Sequence, residues 1–288
     1  MSEFIVKLGT RQGWTTSNRV DYSVFNGGEI NLRLPEEFLN TPAETILIHS
    51  RLQNSNDIMA LCMLMDALKR EHPDSSYVLV IGYVPYARQD RVCNPGEALS
   101  IKVFANIINS LGFHEVQLID PHSDVAGAVI NNVTTVYSQA KMLQGPGGED
   151  LVNKLNNKEV VLISPDAGAT KKTENISKAF GGVPVVQGFK QRDLRTGELS
   201  GFGVSDPEGL LKYANCLIVD DICDGGGTFL GLAAELRKAG AQTITLYVTH
   251  GIFSQGIEKL LDNGIDWVYT TDSFISGEEH DRLSYINL

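Results

Sequence analysis

Six runs rich in Val, Ile and Leu, each the length of one buried strand, alternate along this chain with stretches of helical period. The runs are Tyr77–Tyr83, Val116–Asp120, Val160–Ser164, Val183–Phe189, Cys216–Asp221 and Thr243–His250. They are nearly continuous in apolar character. A sheet with one wet face would alternate apolar and polar residues, so these runs predict parallel strands covered on both faces. Between them, Ile58, Leu61, Cys62, Met65 and Leu68 recur at three- and four-residue spacing after Asp57. Ser100 is placed to cap a helix carrying Ile101, Phe104, Ile108 and Leu111, with Gly112 just past its end. A third helix is expected from about Thr228, burying Phe229, Leu232, Ala233 and Leu236 and stopping at Gly240. The pattern predicts an α/β architecture with parallel sheets flanked by helices.

The length of 288 residues suits two domains. LIDPHSD (Leu118–Asp124) and LISPDAG (Leu162–Gly168) echo each other, as two related halves would. The Gly- and Pro-rich stretch Gln144–Asp150 suits the junction. Lys plus Arg number 24 and Asp plus Glu 35, so the formal charge is 24 − 35 = −11. That balance argues against a general nucleic-acid or anionic-membrane binder. Any bound anion must be held by a local cluster of cations and backbone amides. No apolar run reaches the ~20 residues of a membrane span, and the N-terminus does not read as a secretory signal. Cys62, Cys93, Cys216 and Cys223 form no C-x-x-C pair. Free thiols in a reducing cytoplasm are expected, not a disulfide framework or a structural zinc site.

Ligands of open α/β sheets bind beyond the carboxyl ends of the strands, and four polar clusters fall there. The segment Val84–Val92 offers Arg88, Gln89, Asp90 and Arg91 in succession. Arginine forks match phosphate oxygens, and a solvated loop with internal ion pairs is the competing reading. In Asp120–Asp124, Asp120, His122 and Asp124 alternate after a strand. They suit a divalent metal shared with phosphates, or ordinary hydrogen bonding. In Ser164–Lys172, Asp166 either serves a ligand or caps the following helix, and Lys171 and Lys172 follow it. The most particular cluster is Ile218–Phe229: an apolar strand, Asp220 and Asp221, then Asp224-Gly225-Gly226-Gly227-Thr228 opening a helix. Consecutive glycines let backbone amides close around a phosphate at a helix N-terminus. A carboxylate pair is better matched to sugar hydroxyls or a metal than to phosphate.

Taken together, these segments resemble the ribose-phosphate diphosphokinases, also called phosphoribosyl pyrophosphate synthetases, and the similarity runs nearly end to end. IVDDICDGGGTF resembles the phosphoribosyl-diphosphate loop of the type I phosphoribosyltransferase fold. YARQDR (Tyr86–Arg91), FNGGEI (Phe25–Ile30), DPHSD, SPDAG, FKQRD (Phe189–Asp193) and THGIFS (Thr249–Ser254) resemble further family segments. The resemblance implies two similar phosphoribosyltransferase-type (Rossmann-like) domains. These are an ATP-binding domain over 1–144 and a domain over 145–288 carrying the ribose-phosphate loop, with the C-terminal tail packing back on the first. It implies transfer of the β,γ-diphosphoryl group of ATP to the anomeric hydroxyl of ribose 5-phosphate, with release of AMP. Arg88, Gln89, Arg91 and His122 would hold ATP, and Phe25 and Glu29 would contact adenine across a subunit boundary. His122, Asp120 and Asp166 would position Mg²⁺, while Lys190 and Arg192 would stabilise the transferring group. Asp220 and Asp221 would hold the ribose hydroxyls, and Asp224, Gly225, Gly226, Gly227 and Thr228 the 5-phosphate. A homo-oligomer, from dimer to hexamer, is implied as well.

The chain departs from the family pattern in three places. Gly225 stands where the family has Thr or Ser, which removes one donor to the sugar phosphate and opens space beside it. A larger acceptor such as ADP-ribose is therefore the second reading. Gly27 replaces an acidic residue of the adenine segment, and Val92–Ser100 lacks the family's basic residues. A phosphoribosyltransferase, or a regulatory paralogue without activity, are the readings outside this reaction. The first has no reason to carry YARQDR, SPD and FKQR together. The second would be expected to have lost Lys190, Arg192, His122 or Asp166.

Overall fold

The computed structural model describes residues 3–192, 199–275, 277 and 279–288. The chain divides into two compact units, Met1–Tyr137 and Ser138–Leu288. This division falls seven residues before the expected junction at 144/145, because the short helix over Gln139–Met142 packs within the second unit.

The first unit contains β1 (Glu3–Thr10), β2 (Gly13–Val20), β3 (Tyr22–Val24), β4 (Ile30–Leu32), β5 (Thr45–Arg51), α1 (Ser55–Glu71) and β6 (Ser76–Ile81). It continues with α2 (Ser100–Ser110), β7 (Glu115–Ile119), α3 (Asp124–Val129) and β8 (Val133–Tyr137). Its main sheet has the order β2-β1-β5-β6-β7-β8. Strands β5 to β8 are parallel, and β1 runs antiparallel to both β2 and β5. β3 and β4 form a separate antiparallel hairpin. α1 buries Ile58, Leu61, Met65 and Leu68 as expected and Leu64 besides, whereas Cys62, expected on that face, is only half-buried. Its first turn is fixed by a reciprocal capping box between Asn54 and Asp57. α2 corrects one expectation: Ser100 is its first residue, not its cap, and Leu99 holds the cap position without a side-chain hydrogen bond.

The second unit contains α4 (Gln139–Met142), α5 (Glu149–Asn156), β9 (Val161–Ser164), α6 (Thr170–Ala179), β10 (Val185–Arg192), β11 (Leu199–Ser205) and β12 (Asn215–Cys223). It ends with α7 (Gly227–Lys238), β13 (Thr243–Gly251), α8 (Glu258–Leu261), β14 (Trp267–Thr271) and β15 (Leu283–Ile286). Among the described residues its sheet has the order β11-β10-β9-β12-β13-β14-β15. Among the described residues β10–β11 is the antiparallel strand pair and the other pairs of named strands are parallel. Central β12 is buried on both faces over Cys216–Val219, the condition that its unbroken apolar run predicts. The C-terminal tail belongs to the second unit. Its strand β15 pairs with β14, so these residues complete the second unit's sheet. Among the described residues no helix is long and apolar enough to cross a membrane.

Candidate active site

In the second unit, β12 delivers Asp220 and Asp221 to the end of the sheet, and the chain then turns through Asp224, Gly225 and Gly226 into α7. Glycine is favoured at position 226 of this turn. It sits at φ +76°, and a Cβ there would lie 2.7 Å from Leu260 Cδ2. Gly225 and Gly227 meet no such obstacle, so the loop surface beside them is open. The free amides at the start of this 12-residue helix form an anion-binding end. The loop is held in place from β13. The amides of Ile252 and Phe253 donate to Cys223 O at 2.8 and 3.1 Å, and Ser254 Oγ donates to Asp224 Oδ1 at 2.6 Å.

Three carboxylates and two lysines surround the end of β12. Lys190 of β10 pairs with Asp166 at 2.5 Å, each side chain about a quarter exposed. Asp166 Oδ1 also accepts the amides of Gly168 and Ala169 at 2.9 and 3.1 Å. Asp166 thus shapes the loop before α6, whose own cap position is Ala169. Burial pushes its carboxyl up, but Lys190 and the two amides outweigh burial and hold it below the usual carboxylate range. Lys172 lies 3.4 Å from the buried Asp221. Asp220 is pushed well above the usual range by burial first, then by the charges of Asp221 and Asp166. A carboxyl crowded in this way is improved by sugar hydroxyls that donate to it, or by a cation. Arg192 ends β10, and its side chain lies outside the described residues, as does Asp193 of the FKQRD segment.

In the first unit, Arg88, Gln89, Asp90, Arg91 and His122 line one cavity of about 530 Å³ together with Cys93, Glu97, Ala98 and Ser100. The cavity therefore gathers four residues expected to hold ATP. Two non-glycine residues with left-handed backbone, Tyr86 (φ +62°) and Asp120 (φ +35°), each stand two positions before one of them. The Asp90 side chain is 8% exposed and accepts a hydrogen bond from Arg91 Nε at 2.9 Å. That hydrogen bond is the main cause holding the Asp90 carboxyl low. Glu97 binds the amides of Cys93 and Asn94 at 2.9 and 3.0 Å and the Asn94 side chain at 2.6 Å, closing the loop into a rigid turn. Sequence reasoning missed Glu97, although its position three residues after Asn94 is the spacing at which a carboxylate captures backbone amides. Phe25 and Glu29 are not among the residues lining this cavity. They close the turn between β3 and β4, where the Phe25 amide donates to Glu29 O at 2.8 Å and the Phe25 ring is 57% exposed.

Among the described residues no three His, Cys, Asp or Glu side chains cluster as a ready metal cage. The donors on hand are Asp120 and His122 in the first unit and Asp166, Asp220 and Asp221 in the second. Taken unit by unit, each of these groups offers the one or two carboxylates through which Mg²⁺ is usually bound, with substrate phosphates and water completing its shell.

Comparison with known proteins agrees with this geometry. Residues 9–112 match the family model described as the N-terminal domain of ribose phosphate pyrophosphokinase, and residues 149–283 match the phosphoribosyl transferase domain model. The ribose-phosphate pyrophosphokinase of Vibrio cholerae is 30% identical over 262 residues, covering 89% of this chain and 79% of that protein. The chain belongs to the ribose-phosphate pyrophosphokinase family. The enzyme of the same name from Hyphomonas neptunium is 29% identical over 266 residues, covering 91% of this chain and 81% of its own. The crystal structure of phosphoribosylpyrophosphate synthetase from Mycobacterium smegmatis shares the fold. Its TM-score is 0.77 at 24% identity, covering 93% of this chain and 85% of that one. The glycine loop before α7 and the cavity lined by Arg88 and His122 are candidate sites among the described residues.

Proposed function

We propose that the chain transfers the β,γ-diphosphoryl group of ATP to the anomeric hydroxyl of ribose 5-phosphate, giving phosphoribosyl diphosphate and AMP. The sugar's C1 oxygen bonds to the β-phosphorus, and the bond from that phosphorus to the oxygen shared with the α-phosphate breaks. AMP leaves, and the hydroxyl proton passes to solvent. One observation carries the reading. A glycine loop suited to phosphate, a carboxylate pair suited to ribose hydroxyls and a lysine held by Asp166 stand at the ends of β12, β9 and β10 in one sheet. Such transfer asks a protein for in-line positioning and charge stabilisation, with little covalent work.

The roles follow from position. Arg88, Gln89, Arg91 and His122 hold the triphosphate in their polar cavity. Asp220 and Asp221 accept the ribose hydroxyls, and the amides and Thr228 at the start of α7 take the 5-phosphate. Lys190 and Arg192 stabilise negative charge on the transferring group. Asp120 and His122 in the first unit, and separately Asp166 in the second, would be the residues that offer donors to Mg²⁺. When bound, the ion neutralises charge on the phosphates. Phe25 and Glu29 serve the adenine of a neighbouring copy in a homo-oligomer of dimers building to a hexamer. The exposure of Phe25 away from its own unit's cavity supports this reading.

The open space beside Gly225 supports a second reading, in which the acceptor is a ribose 5-phosphate derivative such as ADP-ribose. An esterified phosphate carries about one negative charge where a monoester carries about two, so it needs fewer donors. Release of AMP from ATP and Mg²⁺ is to be compared with each sugar. Turnover with ribose 5-phosphate supports the first reading, and turnover confined to ADP-ribose supports the second. AMP release with neither sugar rejects both in favour of a non-catalytic protein.

A further inference from the structure

We propose that Gln255 is a specificity-determining residue of the sugar-phosphate cradle, donating from its carboxamide to the 5-phosphate beside Gly225. The inference rests on the ribose-phosphate reading above and adds a residue to it.

Gly225 raises the question. Its neighbour Gly226 has a backbone reason to be glycine, because its φ is left-handed and Leu260 closes over it. Neither constraint holds at position 225. Its φ lies outside the left-handed region, and a Cβ built there would meet one atom within 4 Å, Gln255 Cγ at an ordinary contact distance of 3.7 Å. Backbone geometry therefore does not account for the missing side chain. The space that a side chain at 225 would fill is bordered by the stem of Gln255. A serine hydroxyl would extend one bond beyond the Cβ, and the Gln255 amide nitrogen lies two bonds beyond its Cγ. Both donors are therefore within reach of the space beside Gly225.

The position of Gln255 is also fixed. Phe253, two residues earlier, takes a left-handed backbone (φ +46°) while its amide donates to Cys223 O at 3.1 Å. Ser254 donates to Asp224 at 2.6 Å. The segment is thus tied at two points to the loop it faces, immediately before Gln255. Gly256 is left-handed as well and turns the chain away at once toward α8. Gln255 is exposed, and among the described residues its carboxamide makes no hydrogen bond. A side chain with a fixed root and an uncommitted donor beside a phosphate loop is arranged for a ligand.

The reciprocity of the two positions gives the test. Ribose 5-phosphate binding is measured by titration calorimetry on the full chain for wild type, Gln255→Ala, Gly225→Ser and the double variant. Because Gln255 is on the surface, its truncation leaves the fold intact. Gln255→Ala is expected to weaken binding about 10- to 100-fold, the worth of one hydrogen bond to a charged group. In turnover it should raise the KM for the sugar with little change in kcat. Gly225→Ser should recover most of that loss in the Gln255→Ala background and add little where Gln255 is present. Binding by Gln255→Ala within twofold of wild type overturns the proposal alone. So does an equal effect of Gly225→Ser with and without Gln255. A wild-type chain that binds no ribose 5-phosphate overturns the activity reading and this proposal with it.

Discussion

Removal of the Lys190 ammonium, by Lys190→Ala, perturbs two quantities that the structure links through Asp166. The first is rate. Loss of one preorganised donor to a transition-state charge typically costs about 10²–10³ in turnover. The second is stability. Asp166 loses its cationic partner at 2.5 Å while it remains partly desolvated near Asp220 and Asp221. A charge-assisted hydrogen bond contributes about 1.5–3 kcal/mol. Both side chains are about a quarter exposed, so solvent screening brings the expected loss to about 1–2 kcal/mol. For a unit of this size that lowers Tm by roughly 2–8 °C. The pH dependence has a definite sign. Asp166 has a depressed folded-state pKa, so its contribution is present above the ordinary Asp value near ~3.9 and fades as the pH falls through the lower folded value. The stability gap between wild type and Lys190→Ala should therefore be full at pH 7 and shrink toward pH 3. AMP release gives the rate, and urea denaturation at several pH values gives the gap. Turnover within threefold of wild type refutes the catalytic role. A gap equal at pH 7 and pH 3 refutes the pairing argument.

Asp220→Asn should raise Tm at neutral pH while weakening acceptor binding, because Asp220 is held in an environment that penalises its charge; differential scanning calorimetry and sugar titration check the two halves. Gly226→Ala should destabilise by about 1–3 kcal/mol, since it places a Cβ against Leu260 at a left-handed position; chemical denaturation reads this, and Leu260→Ala should relieve part of it. Glu97→Gln should raise the KM for ATP several-fold with little change in that for the sugar, because Glu97 fixes the loop lining the cavity of Arg88 and Arg91. Chelation of divalent metal should stop AMP release and leave the circular dichroism spectrum unchanged, because no described cluster makes the ion part of the fold.

The parts of the fold legible in the sequence are those buried on both faces. β12 reads as a strand because Cys216 to Val219 are all in the core, and α1 because its buried residues keep helical spacing. β2 left no such trace. It is an edge strand exposed along nearly all its length, and its apolar anchor Trp14 packs over Gly9, a contact between strands that no local pattern encodes. β15 is short and belongs to its sheet through backbone pairing with β14, so its place was equally invisible. In the site, the glycine loop was legible because φ > 0 and close packing leave glycine as the residue for position 226. The pairing of Asp166 with Lys190 was not, since it joins the loop after β9 to a residue of β10, 24 positions further along the chain. Neither was the link from Ser254 to Asp224, which spans 30 residues.

The central claim is that a two-phosphate unit leaves ATP together. ATP labelled with ³²P at the β-position, incubated with the chain, Mg²⁺ and ribose 5-phosphate, tests it directly. The account predicts that the label moves to the sugar product and that unlabelled AMP appears in equal amount. Label retained in ADP, or in unreacted ATP, contradicts it.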